Sequence, residues 1–262
     1  VAKRDRNSLS NTVIVAVGVS LVCSVLVSIA AIALKPLQET NSEEYRQRIV
    51  LEVAGLYEEG RSVGDLFAQI DTRIVDLGSG NYVTDMDPAT FDPIAAAGDP
   101  SLSSVIPATS DTAGIGRRAN YAPVYLVTEG EEIEEIILPV YGKGLWSTMY
   151  GYLALAPDGN TIRGLRFYEH GETPGLGDQV DRPEWRALWQ GKEVYGDDGE
   201  PVIEVVKGSV QPGPAAEHKI DGLSGATLTG RGVTNLLHYW LGPDGFGPYL
   251  DQFRERGAYN DG

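Results

Sequence analysis

Cysteine is nearly absent from this sequence: Cys23 stands alone among 262 residues. One thiol cannot close an internal disulfide, and it cannot supply the several thiolates that an iron–sulfur cluster needs. Histidine is scarce as well. His170, His218 and His238 are scattered without metal-ligand spacing, so no metal site is expected. Basic residues are outnumbered, 21 Lys and Arg against 37 Asp and Glu, for a formal net charge of −16. A surface of that sign repels nucleic acid, and no basic patch argues otherwise, so nucleic acid is not an expected partner. The Gly-x-Ser-x-Gly elbow of serine hydrolases is missing too. Its nearest approach, Gly222-Leu223-Ser224-Gly225-Ala226, lacks the final glycine, and spacing assigns Ser224 no His/Asp partner. No internal repeat is present. No acid–base or nucleophilic catalytic residue is expected.

One long apolar run is present. Val13–Leu34 carries no charge. At about 1.5 Å per residue it spans roughly 33 Å, enough for a hydrocarbon core of about 30 Å. A cleavable signal peptide is the rival reading, but its apolar run would be only about 7–15 residues. Residues 1–11 carry Lys3, Arg4 and Arg6 against Asp5, a flank that belongs in the cytoplasm. The expectation is therefore a cytoplasmic N-terminus over residues 1–11 and an uncleaved transmembrane helix over 12–34, with everything after it outside the membrane. Ser20, Ser24 and Ser28 give the helix one small polar face, able to pack on other membrane helices. A lone anchor holds no conduction path, so any transport would belong to other subunits.

Residues 35–120 read as a helical and loop-rich membrane-proximal part. Tyr45, Ile49, Val53 and Leu56 keep helical spacing, Gly60 breaks it, and Val63, Leu66, Phe67 and Ile70 suggest a short helix. Residues 78–120 are rich in Gly, Pro, Asp and Ser and read as loop. Residues 121–262 read as the core of a folded domain. Pro123–Val127 and Glu134–Tyr141 form one expected hairpin, and Tyr150–Ala156 and Thr161–Tyr168 a second, with Asp158-Gly159 at its bend. Arg182–Trp189 reads as a short helix and Val202–Lys207 as a strand. The expected class is α+β: antiparallel strands with flanking helices, behind a single N-terminal transmembrane helix.

The most informative stretch is Asp221-Gly222-Leu223-Ser224-Gly225-Ala226-Thr227-Leu228-Thr229-Gly230. Val233, Leu236, Leu237, Trp240 and Leu241 follow at helical spacing, and Gly242-Pro243 stops them. A small polar loop thus runs into a helix N-terminus. Free amides and the positive end of the helix dipole favour an anion there, such as phosphate. An ordinary N-cap would use the same residue types.

Asp-x-x-Ser-Gly-Ala-Thr resembles the flavinylation motif of proteins that carry FMN through a phosphoester to threonine. In such proteins a flavin transferase moves FMN from FAD onto the last threonine, here Thr227. The resemblance assigns Ser224, Gly225 and Ala226 to the attachment loop, and Asp221 to transferase recognition or loop capping. Thr229 is a second hydroxyl nearby, which only the family pattern sets aside. Two more strings stand in order before it: Tyr141-Gly142-Lys143-Gly144-Leu145-Trp146-Ser147, and Phe167-Tyr168-Glu169-His170-Gly171-Glu172-Thr173-Pro174-Gly175-Leu176-Gly177. With Val75-Asp76-Leu77 and residues 117–125, they make nearly the whole chain similar to the NqrC family of bacterial sodium-translocating NADH:quinone oxidoreductases. The RnfG family of Rnf electron-transport complexes shares the threonine motif and is the competing resemblance. A membrane-tethered binding or scaffold domain without cofactor is the competing class.

The resemblance implies an extracytoplasmic, covalently bound FMN in a bacterial inner-membrane complex. Electrons would pass from NADH through several flavins and iron centres to quinone, coupled to sodium export. Expected partners are the other membrane and soluble subunits and, during maturation, the transferase. The glycines of the two upstream strings would let backbone approach the flat isoalloxazine ring. Trp146 and Leu176 would cover it, and backbone near Thr173, Gly175 and Leu176 would bond its edge. Glu172 would disfavour negative charge on the reduced ring, and Lys143 or Lys207 would favour it. The plainer reading of Lys207 is a solvated strand-end lysine.

Overall fold

The computed structural model describes residues 9–260, with side chains through Arg254; the basic flank Lys3, Arg4 and Arg6 lies outside the described residues. The chain divides into two units, residues 1–46 and 47–262. In the first, helix α1 (Leu9–Val53) presents exposed apolar side chains from Val13 to Leu37, and it is long and apolar enough to cross a membrane. α1 does not end where the apolar run ends. It continues through Pro36, which has no N–H for the helical ladder, and the Thr40 hydroxyl donates to the Pro36 carbonyl at 3.0 Å. Ion pairs Lys35–Glu39 and Glu43–Arg46 then line the polar turns.

The second unit opens with the last turns of α1, where Ile49, Val50 and Leu51 are buried. Helix α2 (Val63–Phe67) follows, capped by Ser62, whose hydroxyl accepts the Asp65 amide. Next come β1 (Asp71–Asp76), β2 (Tyr82–Val83), α3 (Pro93–Gly98), β3 (Ser103–Val105) and β4 (Arg117–Ala119). Then β5 (Tyr121–Glu129), β6 (Glu132–Lys143), β7 (Thr148–Leu155) and β8 (Ile162–Glu169) run as hairpins. A single turn of tight helix at Gly177–Asp181, α4 (Pro183–Ala187), β9 (Glu204–Val205), β10 (Lys219–Ile220), α5 (Thr227–Leu241) and α6 (Gly247–Asn260) complete the chain.

The main sheet has the order β2-β1-β5-β6-β7-β8, and every neighbouring pair is antiparallel. Alternation along the strands covers both faces. On β6, Ile136, Leu138 and Val140 join Val233, Leu236, Leu237 and Trp240 of α5 in the main core. Ile137 points the other way, with Tyr152 and Ala154 of β7, against Ile49 and Val50. Layers of helix, sheet and helix result, the α+β class the hairpins imply.

Several local expectations change. Inside the stretch read as loop, Asp92 Oδ1 accepts the Ile94 and Ala95 amides, and Pro93 opens α3. Residues 78–120 hold three short strands, β2 paired with β1 and β3 paired with β4, and helix α3 as well as loop. The expected strand Val202–Lys207 shrinks to Glu204–Val205, because its parallel partner β10 is equally short. The helix expected over Arg182–Trp189 ends at Ala187. Trp185 rides on it, and Trp189 lies beyond it in a turn, buried edge-on against Trp185. β1 and α6 were not anticipated. β1 carries Ile74 and Val75 adjacent, both fully buried because both sheet faces are covered, which erases the alternation that marks a strand.

Candidate functional site

The site is built around the N-terminus of α5. Gly225 takes a left-handed φ of +73°, and a Cβ there would lie 3.0 Å from Leu176 Cδ2, so the turn into the helix calls for glycine. Ala226 is the N-cap and brings no side-chain acceptor. The first-turn amides of Thr227, Leu228 and Thr229 have no intrahelical partner by helix geometry. An anion at Thr227 would meet these amides and the positive end of the dipole.

The two threonines part company here. Thr227 is exposed, as its place in the first turn allows. Thr229 is 0% exposed, and its Oγ1 donates to Glu172 Oε2 at 2.5 Å. Burial, and not only a motif, removes Thr229 from reach of any external reagent.

Glu172 brings the expected loops together. The residue is 5% exposed, and its Oε1 accepts the Leu145 and Trp146 amides at 2.9 and 3.0 Å. Gln179 Nε2 donates to both the Leu176 and Ser224 carbonyls, at 2.6 and 2.9 Å. Thr173 is half-buried, and its carbonyl receives the Leu176 and Asp178 amides; Gly175 is exposed, in a left-handed turn. Trp146, Leu176, Ser224, Gly225, Ala226 and Thr227 therefore belong to loops joined by Glu172 and Gln179. Four large apolar side chains on these loops and the first turn of α5 stay in water: Trp146 at 70% exposure, Leu228 at 52%, Leu145 at 44% and Leu176 at 43%. Apolar side chains exposed together, unlike ones scattered singly, mark a binding surface. Exposed apolar surface beside an anion-favouring helix end suits a planar cofactor with a phosphate tail.

The structure rearranges the remaining expectations. Glu172 turns its carboxylate into the protein. Asp221 spends its own on the fold: Oδ1 accepts the Val210 amide at 2.7 Å, and its carbonyl accepts Trp185 Nε1 at 2.9 Å. Lys207 is exposed on the bend after β9, where Gly208 accepts the Gly222 amide, and no hydrogen bond joins it to the loops around Thr227. The Gly142 and Gly144 pair does not open backbone to a ligand. A Cβ at Gly142 would meet Leu236 and Ala113, and one at Gly144 would meet Glu172 and Met149. These glycines let α5 and the Glu172 loop close on β6. Sequence reasoning missed the roles of Thr229, Ser147 and Gln179, because nothing in their spacing reveals contacts across 24 to 57 residues, and it missed the His170–Asp181 pair, 11 residues apart.

His170 stands behind the loop. Nε2 faces Asp181 Oδ2 at 2.8 Å, and that hydrogen bond holds its pKa above the ordinary value. His218 bonds the Glu193 carbonyl and His238 the Ile203 carbonyl. All three imidazoles are thus engaged away from Ser224, and the hydrolase reading lacks its base. Among the described residues, no group of three or more His, Cys, Asp or Glu could hold a metal ion.

Residues 144–242, the stretch holding all of these loops, match the FMN-binding domain family. Over 256 residues the chain is 50% identical to NqrC of Pseudomonas aeruginosa, the C subunit of a Na(+)-translocating NADH-quinone reductase, covering 96% of this chain and 98% of that protein. This chain belongs to the NqrC family, the C subunits of Na+-translocating NADH-quinone reductases. Its Vibrio vulnificus relative is 48% identical, with 97% of this chain and 98% of that protein covered. The crystal structure of Shewanella oneidensis NqrC superposes with a TM-score of 0.74 at 39% identity, over 82% of this chain and 99% of that one. The corresponding protein from Parabacteroides distasonis gives a TM-score of 0.64 at 25% identity, over 83% and 96%. The NqrC resemblance carried by the three strings stands, and the Rnf-type alternative gives way to it.

Proposed function

We propose that this NqrC chain carries FMN through a phosphoester to Thr227 and relays electrons within a Na+-translocating NADH-quinone reductase. The observation that carries the reading is the contrast within one motif: Thr227 is exposed at an uncapped helix N-terminus, and Thr229 is sealed two residues later. Attachment balances as a transfer: Thr227 Oγ bonds to the FMN phosphorus of FAD, AMP leaves, and the hydroxyl proton goes with the leaving group or to solvent. A flavin transferase supplies that chemistry. The product is a phosphodiester whose negative charge lies at the α5 dipole.

Bound FMN supplies reversible acceptance and release of electrons between the NADH side and quinone. The chain's own residues do the rest. Gly225 and Ala226 set the turn that presents Thr227. Trp146 and Leu176 would flank the ring, and the backbone of Thr173 and Gly175 would hydrogen-bond its edge. Lys207 stands beside Gly208, whose carbonyl accepts the Gly222 amide, and would act on the site's charge from outside, while Asp221 bonds the Val210 amide and holds that segment. The link lies at the phosphate, remote from the ring, so it retains a small cofactor without altering its redox chemistry. The N-terminal helix anchors the chain in the bacterial inner membrane, with the basic N-terminus cytoplasmic and the folded unit periplasmic. The other subunits provide the remaining redox centres and the sodium path.

Intact mass of the chain co-expressed with a flavin transferase tests the reading. A gain of one FMN less one water, mapped to Thr227 and abolished by Thr227→Val, is expected. A bare chain, or an adduct on Thr229, would overturn it. A periplasmic reporter fused after residue 262 tests the orientation, and activity only on the cytoplasmic side would refute it.

A further inference from the structure

Thr229 has no part in the attachment, yet its buried hydroxyl is committed to one partner. Thr229 Oγ1, the Leu145 amide and the Trp146 amide all donate to the Glu172 carboxylate, at 2.5, 2.9 and 3.0 Å. Two donor segments far apart in sequence, residues 145–146 and the first turn of α5, share one buried acceptor on a third. Glycines close the space around it: a Cβ on Gly144 would come within 2.5 Å of Glu172 Oε1, and one on Gly177 within 2.8 Å of both Oε2 and Thr229 Oγ1. The backbone beside Glu172 is pinned as well. Its amide donates to His170 Nδ1 at 3.2 Å, and the Gly171 amide donates to Ser147 Oγ at 2.6 Å.

A carboxylate is a poor choice if filling space were the only task, since an apolar side chain of similar size is often as stable. It offers instead two oxygens in a fixed plane, able to hold a loop on one side and a helix on the other. The residue this arrangement fixes is Trp146. Its amide is bonded to Glu172, while its indole stays 70% exposed. The backbone is held and the ring is left for something else to cover.

We propose that Glu172 is a positioning residue for the flavin: with Thr229 it locks the Trp146 loop to the first turn of α5, holding the indole against a ring tethered at Thr227. The proposal rests on the FMN reading above, and its test has one arm that needs no flavin.

The test uses the full-length chain in detergent, made with and without the flavin transferase, as parent, Thr229→Val, Glu172→Ala and Glu172→Gln. In the flavin-free chain, amide exchange at Leu145 and Trp146 is measured. Thr229→Val is expected to speed both roughly tenfold, although Thr229 touches neither, because its loss frees the carboxylate to shift. In the loaded chain, Thr229→Val and Glu172→Ala are expected to raise flavin fluorescence several-fold as the indole ceases to quench it. Glu172→Gln is expected to restore most of the quenching. Its oxygen still accepts the two amides, and its nitrogen donates to Thr229 Oγ1. Should Glu172→Ala fail to fold, the isosteric Thr229→Val carries both arms. A lower melting temperature with unchanged exchange and unchanged fluorescence would make Glu172 a purely structural residue and overturn the proposal. A parent chain with no adduct refutes the FMN reading instead, and the exchange arm still decides the clamp.

Discussion

Gly232→Ala offers a sharp test of how α5 is seated. In an exposed helix the change should stabilise, since alanine is favoured over glycine by roughly 1 kcal/mol. Here the helix crosses the end of β6 with almost no clearance. A Cβ on Gly232 would lie 2.6 Å from the Lys143 carbonyl oxygen and 3.0 Å from Gly144 Cα. Both obstacles are backbone, at the end of a strand paired to β7, so neither can rotate away. Ordinary contact requires the helix to retreat by about 0.8 Å, and overpacking of this kind costs about 1–3 kcal/mol. The retreat also loosens Leu236 against Gly142 and strains the Trp240 Nε1 bond to the Tyr141 carbonyl at 2.6 Å. The expected net result is a destabilisation of about 1–2 kcal/mol, a fall in melting temperature of about 3–6 °C for a domain of this size. Five residues of helix, roughly 7.5 Å, separate Gly232 from Thr227, so the shift should also reduce flavin loading. Gly230→Ala is the control, because its Cβ would meet only the Val205 side chain, at 3.0 Å. Thermal unfolding of the full chain followed by circular dichroism measures both. A Gly232→Ala chain melting at or above the parent would refute this account of the helix–strand contact.

Other outcomes follow from buried charge. Burial pushes the Glu135 carboxyl up to about 7, partly opposed by the Arg163 charge. A raised carboxyl favours its protonated form in the fold, so its contribution falls as pH climbs from about 4.5 to about 7. Glu135→Gln should stabilise by about 1–2 kcal/mol at pH 8, discounted for partial exposure, and by little at pH 5; equal effects at both would be inconsistent with this burial. For His170 the hydrogen bond to Asp181 raises the pKa. Its stabilisation is therefore complete below pH 6.5 and lost as pH rises through the folded value. His170→Asn should cost more at pH 5.5 than at pH 9, read from paired melting curves, and the reverse order would contradict the pairing. Thr227→Val should leave the melting temperature nearly unchanged while removing the flavin mass, because Thr227 is exposed and its side chain makes no cap. A large loss of stability would assign it a structural role.

Much of the architecture was legible locally. The hairpins of β5 through β8 show in their apolar alternation and in Gly130 and Asp158-Gly159 at the bends, where both glycines adopt positive φ. Helix α5 shows in five apolar residues at helical spacing, all of them buried. β1 escaped because strands covered on both faces lose the period of two. The true length of α1 escaped because Pro36 signals a stop that the neighbouring turns override. Glycine carried the most misleading signal. Gly142, Gly144 and Gly177 invite the thought of a ligand against bare backbone, and protein atoms fill those places instead.

The sequence by itself determined the long apolar helix, the strand hairpins, the family and the threonine motif, because each is written in contiguous residues and local periods. Tertiary structure alone decided which hydroxyl faces outward. Thr227 and Thr229 are chemically alike and two residues apart, which on a helix turns one of them about 200° from the other. Only the packing of α5 on β6 sets which side meets solvent and which meets Glu172, a partner 57 residues away. That choice depends on contacts across the fold, and no local pattern encodes them.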